Sequence, residues 1–187
     1  MDQMSLALIV AVSLGQTPMQ TSMQMDMKTY FDGEAAEAWA FGGLGVTSLA
    51  SGAVLLSRGE SASAGASVPL FAVGLVQLAL GIGLWIRTPP QIAALETQLT
   101  KSPKEYALAE RTRMERVMKG FAVYKALEVG LFFGGVGLAG VGGVVRSDFA
   151  LGAGFSLALE SLAMLILDFF AEARGRAYES ALVGFRF

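Results

Sequence analysis

Lys125 and Glu128 lie three residues apart inside a long apolar stretch, KGFAVYKALEVGLFFGGVGLAGVGGVV (119–145). Glu160 and Asp168 lie inside a second such stretch, 149–171. A charged side chain at the centre of a bilayer costs about 3 kcal/mol on insertion scales. Such a group turns toward other helices, finds a partner, or gives up its charge. Lys125 and Glu128, at i and i+3, are spaced to pair. With Lys125 satisfying one acid, a second is left to bind and release a proton or a small cation.

Counting along the helices places these groups in depth. Glu128 stands about nine residues in from one end of its stretch, roughly 13 Å at 1.5 Å per residue. Glu160 stands about eleven residues in from the opposite side, roughly 16 Å. In a hydrocarbon core of about 30 Å the two nearly coincide. Gln77 and Thr47 come out at a similar depth. The expected site is therefore a polar layer of Thr47, Gln77, Glu128 and Glu160, with Lys125 just below and Asp168 near the inner interface. The competing reading is interhelical glue, in which Lys125, Glu128 and Glu160 form a closed hydrogen-bonded network.

The elements that position this layer are apolar helices. The chain has 187 residues, 53% hydrophobic and 16% charged, where a soluble domain carries about a quarter charged residues. The apolar residues cluster into four windows, about 35–57, 68–86, 119–145 and 149–171, each long enough to cross a bilayer. The expected fold is all-α: a polytopic membrane protein with an antiparallel four-transmembrane-helix bundle. Residues 1–33 form an N-terminal apolar and Met-rich segment, and 34–187 the transmembrane domain. Thr88-Pro89-Pro90 is expected to stop the second span. Residues 91–99, QIAALETQL, then read as a short cytoplasmic amphipathic helix between spans two and three. Ser102-Pro103-Lys104-Glu105 reads as a helix start with a capping box.

Lys and Arg are distributed unevenly. Arg87, Lys101, Lys104, Arg111, Arg113, Arg116 and Lys119 lie between spans two and three, and Arg174, Arg176 and Arg186 follow span four. The two other loops hold only Arg58 and Arg146. The positive-inside rule therefore predicts a multi-pass plasma (inner) membrane protein with both termini cytoplasmic. The Ala/Gly/Arg-leaning composition suggests a bacterial source. FGGLGV (41–46) echoes FGGVGL (133–138), which suggests two copies of a helical hairpin.

Glycine shapes the third stretch. Glu128, Gly135 and Gly142 recur every seven residues and share one face, suited to close helix contact. Gly130 and Gly134 form a GxxxG on an adjacent face, a candidate for a homo-oligomer or a membrane-protein partner. The lipid bilayer is the expected surrounding, and a net charge of −2 gives no reason to expect nucleic acid.

Residues 4–14, MSLALIVAVSL, are apolar but too short to span. They fit an interfacial helix or the core of a signal peptide, although Asp2 and the lack of Lys or Arg before them argue against the latter. After them come Met19, Met23, Met25 and Met27, a run that resembles the Met-rich motifs of copper-handling proteins. That resemblance implies thioether ligation of Cu(I). The other reading is flexible apolar filler on an amphipathic segment. There is no Cys and no His, which excludes disulfides, thiol catalysis, zinc–thiolate sites and ordinary haem ligation. No catalytic motif and no cofactor are expected. The leading function is a small proton-, cation- or solute-handling transporter or channel. The alternative is a structural or assembly subunit acting through its glycine-rich faces.

Overall fold

The computed structural model describes residues 17–186. The apolar run 4–14 lies outside the described residues. Four helices account for nearly all of the rest: α1 (Pro18–Ser57), α2 (Ser61–Lys101), α3 (Pro103–Val145) and α4 (Asp148–Gly184). They pack as an antiparallel bundle in which α1 pairs with α2, α3 pairs with α4, and α2 meets α4 between the two hairpins. All four are long and apolar enough to cross a membrane, which fits a multi-pass integral membrane protein.

Local chemistry sets the ends. Thr17 opens α1 with a capping box: its hydroxyl accepts from the Gln20 N–H, and the Gln20 side chain accepts from the Thr17 N–H. Pro18 occupies the first turn, where its missing N–H costs nothing. The first connection is only Arg58, Gly59 and Glu60, with Gly59 at φ 71°. The Ser/Gly stretch after it is already helical. α3 starts at Pro103 as its sequence predicts, but the Ser102 hydroxyl makes no capping bond. Arg146, in the left-handed conformation, ends α3, and the Ser147 hydroxyl caps α4 by accepting from Ala150 N–H. At the far end of α4, Arg111 of α3 donates to the carbonyl of Leu182 from Nε (3.0 Å) and Nη2 (2.7 Å), beside the capping bond that the same carbonyl accepts from Phe185 N–H at 3.3 Å.

The separate cytoplasmic amphipathic helix is not present. α2 runs unbroken through Pro89 and Pro90 to Lys101. An interior proline removes a helix hydrogen bond and costs about 3 kcal/mol. Packing outweighs that here. The Thr88 hydroxyl is anchored on Glu34 of α1 at 3.2 Å. Beyond the prolines, Leu95 and Leu99 are buried and Ile92 packs against the same core. Each buried leucine contributes about 1.5–3 kcal/mol.

With 37 to 43 residues each, the helices are about 55–65 Å long, twice the hydrocarbon thickness. The two halves of the bundle differ. The half that holds the start of α1, the end of α4 and the α2–α3 turn (the terminal half) has a conventional core: Met23, Met27, Tyr30, Phe31, Leu95, Leu99, Tyr106, Met114, Tyr178 and Leu182 are buried together. The other half turns its apolar residues outward. Of the exposed large hydrophobics, all but Met19, Met25, Leu108 and Val183 fall within 39–56, 68–86 and 123–170. Its interior instead holds Ser48, Gln77, Glu128, Ser156, Glu160, Ser161 and Asp168. An apolar exterior over a polar interior is what lipid requires and water forbids.

The two hairpins share one packing scheme. A Cβ on Gly45 would stand 2.6 Å from Leu78 N and 2.8 Å from Gly74 O; on Gly135, 2.6 Å from Ala158 N and 2.8 Å from Gly154 O. Likewise Gly52 lies against Leu70 and Phe71, and Gly142 against Ala150 and Leu151. The repeat is real in the contacts, but its register is not that of the sequence echo. The echo aligns Gly45 with Gly137, which has no neighbour within 4 Å. The contacts align it with Gly135. A methyl group at Gly45 or Gly135 meets backbone, which cannot move aside, so Gly45→Ala and Gly135→Ala are each expected to cost about 1–3 kcal/mol. Gly134 is open, and Gly134→Ala is expected to be neutral or slightly stabilising. Thermal unfolding in detergent, followed by circular dichroism, checks this; equal shifts in all three variants would refute the hairpin packing.

Candidate functional site

The acid of α4 at the centre of the membrane half is Glu160, 7% exposed. Both of its oxygens are occupied. Ser48 Oγ of α1 donates to Oε1 at 2.6 Å, and Gln77 Nε2 of α2 donates to Oε2 at 2.7 Å. The Ser48 hydroxyl also lies 3.4 Å from Gln77 Oε1. Three helices therefore meet at one carboxyl group with neutral partners only. The glycine contacts make this possible. Gly45 and Gly74 bring α1 and α2 together one turn from Ser48 and Gln77, so short side chains can reach across.

Glu128 belongs to a second cluster. It is 4% exposed and faces Asp168 of α4, close enough for the two carboxyl groups to hydrogen-bond when one carries a proton. Its Oε2 is buried without a hydrogen-bond partner. Lys125 does not pair with Glu128. It crosses to Glu172 of α4, whose other oxygen accepts from Arg176 Nη2 at 2.6 Å. Asp168, expected near the solvated interface, is buried, as is Glu172.

The acids continue toward the termini. Glu37 of α1 accepts from Arg174 of α4 and lies within electrostatic range of Asp168 and Glu34. Arg174 reaches it across Gly33, where a Cβ would collide with the guanidinium arm. Glu34, 5% exposed, accepts from Tyr30 Oη (2.8 Å), Thr88 Oγ1 (3.2 Å) and Arg87 Nη2 (3.3 Å). Tyr30 stacks on Tyr178, with centroids 4.9 Å apart. Tyr178 Oη donates to Glu110 (3.1 Å) and lies 2.6 Å from Tyr106 Oη. Arg113 holds Glu110 through two hydrogen bonds of 2.7 and 2.8 Å, with its guanidinium over the Tyr30 and Phe31 rings. Buried polar groups thus line the bundle interior from Glu110 in the terminal half to Glu160 in the membrane half.

The expected layer is therefore divided. Gln77 and Glu160 meet; Glu128 sits with Asp168 instead, and Lys125 with Glu172. Thr47 is exposed, and its hydroxyl donates to Gly43 O of its own helix; the neighbouring Ser48 does the work assigned to it. Gly135 and Gly142 make the close α3–α4 contact, while Gly130 and Gly134 face outward with nothing within 4 Å. Met23 and Met27 lie in the terminal core, 2% and 0% exposed, whereas Met19 and Met25 are at the surface.

Sequence reasoning missed Ser48, Glu34, Glu37, Arg174 and the Tyr–Glu–Arg cluster. Glu34 and Glu37 look like first-turn residues of a span that begins near 35. In a helix that begins at Pro18 they fall mid-helix, on the inward face. The signal was there: Tyr30, Phe31, Glu34, Glu37, Ala38, Phe41, Gly45, Ser48 and Gly52 follow one another at helical spacing.

No match was found among protein-family models, curated proteins or solved structures.

Three buried phenols in the terminal half titrate abnormally. Burial pushes Tyr30, Tyr106 and Tyr178 well above the usual phenol value, and the charges of Glu34 and Glu110 push Tyr30 and Tyr178 further. Their folded values stand above the unfolded one of about 10. Their contribution to stability is therefore complete below that pH and is lost as pH rises through the folded values. In an alkaline titration, tyrosinate absorbance from these three is expected to appear together with loss of helicity. Their full ionisation in a protein that is still helical would contradict the packing described.

Proposed function

We propose that this protein is a small transporter or channel-like protein that moves or senses a proton or a small cation through its buried carboxyl groups. The observation that carries this reading is the inward orientation of Glu37, Asp168, Glu128 and Glu160, all at most 9% exposed, in the half whose exterior is apolar. Ionisable groups inside a membrane bundle are costly, and their common use is in ion and proton pathways. Among the described residues, Arg174 and Lys125 bring positive charge near these acids, paired with Glu37 and Glu172. Glu160, held by Ser48 and Gln77, is the acid at which three helices meet, so a change there alters helix contacts.

Orientation follows from charge. Apart from Arg58 and Arg146, all of the chain's 14 Lys and Arg residues lie toward the end that carries both termini. The positive-inside rule places that end in the cytoplasm of a bacterial inner membrane. The polar interior then leads from the cytoplasmic core toward the middle of the bilayer. In proteoliposomes, Glu160→Gln keeps the shape of the side chain and an acceptor for Ser48, and the Gln77 amide can turn so that its oxygen accepts from the new Nε2, so the protein is expected to stay folded while pH-driven ion flux falls at least tenfold. Unchanged flux would reject the reading.

A second reading is favoured by a separate feature. Gly130, Gly134, Gly137, Gly140 and Gly143 of α3 have no neighbour within 4 Å, leaving a thin, apolar helix surface of the kind that packs against other membrane helices. The protein would then be an assembly subunit. Gly134→Leu is expected to break a homo-oligomer or release a co-purifying membrane partner, with helicity unchanged. Cross-linking in native membranes that is insensitive to this substitution would eliminate it.

A further inference from the structure

Glu128 and Asp168 differ from every other buried acid described. Glu160, Glu37, Glu34, Glu110 and Glu172 each accept from a hydroxyl, an amide or a cation. Glu128 and Asp168 face each other, and Glu128 Oε2 has no partner at all. A buried carboxyl oxygen left unpaired costs about 1–3 kcal/mol or more. Two acids in hydrogen-bonding range resolve that cost by holding a proton between them.

A metal cation is poorly served here. Sodium and similar sites in membrane proteins recruit backbone carbonyls from unwound helix. α3 and α4 run unbroken past both acids, so those carbonyls stay within the helices. Among the described residues, no group of three or more His, Cys, Asp or Glu side chains is arranged to hold a metal ion. The surroundings are also defined. From α3, Lys125 is near both acids but bonded to Glu172; from α4, Glu172 is held by Lys125 and Arg176; from α1, Glu37 is held by Arg174. Each neighbouring charge is paired elsewhere, Arg174 through Nη2 while its Nε has no partner, and none donates a hydrogen bond to Glu128 or Asp168 among the described residues.

We infer that Glu128 and Asp168 form a proton-binding carboxyl pair across the α3–α4 interface, and that the proton rather than a metal cation is its ligand. This narrows the ligand class of the function proposed above and rests on that reading only for its biological meaning. The site itself is tested without any flux measurement. The proton is shared by the two carboxyl groups between α3 and α4, and Asp168 lies near the α1 acid Glu37. Its release leaves two negative charges facing each other, a repulsion that separates the two helices or draws Arg174 or Lys125 toward the pair.

The test is infrared difference spectroscopy between neutral and alkaline pH, on the full-length chain in lipid nanodiscs. The wild type is expected to show a protonated-carboxyl C=O band that disappears at alkaline pH. Glu128→Gln and Asp168→Asn are each expected to remove or shift that same band, because it belongs to the pair. Glu160→Gln is expected to leave it in place. Circular dichroism confirms that each variant retains its helicity. Should either variant fail to fold, carboxyl-¹³C aspartate in the wild type serves instead. Asp168 is the buried aspartate among those described, and labelling is expected to downshift the band. A band unmoved by labelling or by both substitutions overturns the inference. So does a band lost when choline chloride is replaced by sodium chloride, since a metal would then be displacing the proton. Loss of flux in Glu160→Gln with an intact pair band speaks to the transport reading alone.

Discussion

A carboxyl group removed from water needs a partner, and in the membrane half of this bundle no solvent can supply one. That constraint accounts for most of the arrangement. Glu160 draws Ser48 from α1 and Gln77 from α2 into one cluster, tying α4 to the first hairpin. Glu37 draws Arg174 across the gap left by Gly33. Glu172 takes Lys125 away from the acid three residues along its own helix. Each of these bonds joins two helices, so the polar residues specify which helices meet and at what height. The apolar residues between them, facing outward, specify much less.

The glycines make those short bonds possible. The two hairpins are close-packed at matching places: Gly45 and Gly135 each admit the backbone of the next helix, and one heptad further on Gly142 does the same while Gly52 admits the side chains of Leu70 and Phe71. On this repeated scaffold the chemistry is not repeated. Ser48 and Gln77 stand in the first hairpin, where the second has Leu138 and Leu157. Glu128 and Asp168 stand in the second, where the first has Ala38 and Thr88. Two copies of one packing unit thus carry different polar groups, a donor-rich set in one and an acid pair in the other. Such an asymmetry gives a two-hairpin bundle a direction.

The terminal half anchors this interior at one end. Its core is dense and apolar, yet it encloses Glu110, Arg113, Tyr106 and Tyr178, joined by hydrogen bonds, with Tyr30 stacked on Tyr178. Tyr30 donates from this cluster to Glu34, and Glu34 lies beside Glu37. The conventional core and the inverted membrane interior are therefore joined by a chain of buried polar contacts rather than by an apolar seam. Because each helix passes through both halves without a break, the same four helices build the polar interior around Glu160 and the terminal core.

The sequence by itself determined the class of the molecule. Four apolar windows, sparse charge and a lopsided distribution of Lys and Arg are properties of composition and order, and they required four long helices and a membrane-like exterior before any contact was known. The seven-residue recurrence of Glu128, Gly135 and Gly142 likewise marked the packed face of α3, because helical periodicity is local. Partners were another matter. Which acid meets Lys125, whether Thr47 or Ser48 turns inward, and whether Pro89-Pro90 ends a helix depend on rotation and register between helices far apart in the chain. Those are settled by the close approach of glycine backbones and by the packing of Ile92, Leu95 and Leu99 beyond the prolines. Depth counted from the ends of apolar windows is only as good as those ends, and neither the axial register nor the angle against a neighbour can be counted at all. The register set by Gly135 and Gly142 put Glu128 with Asp168, eight residues along α4 from Glu160.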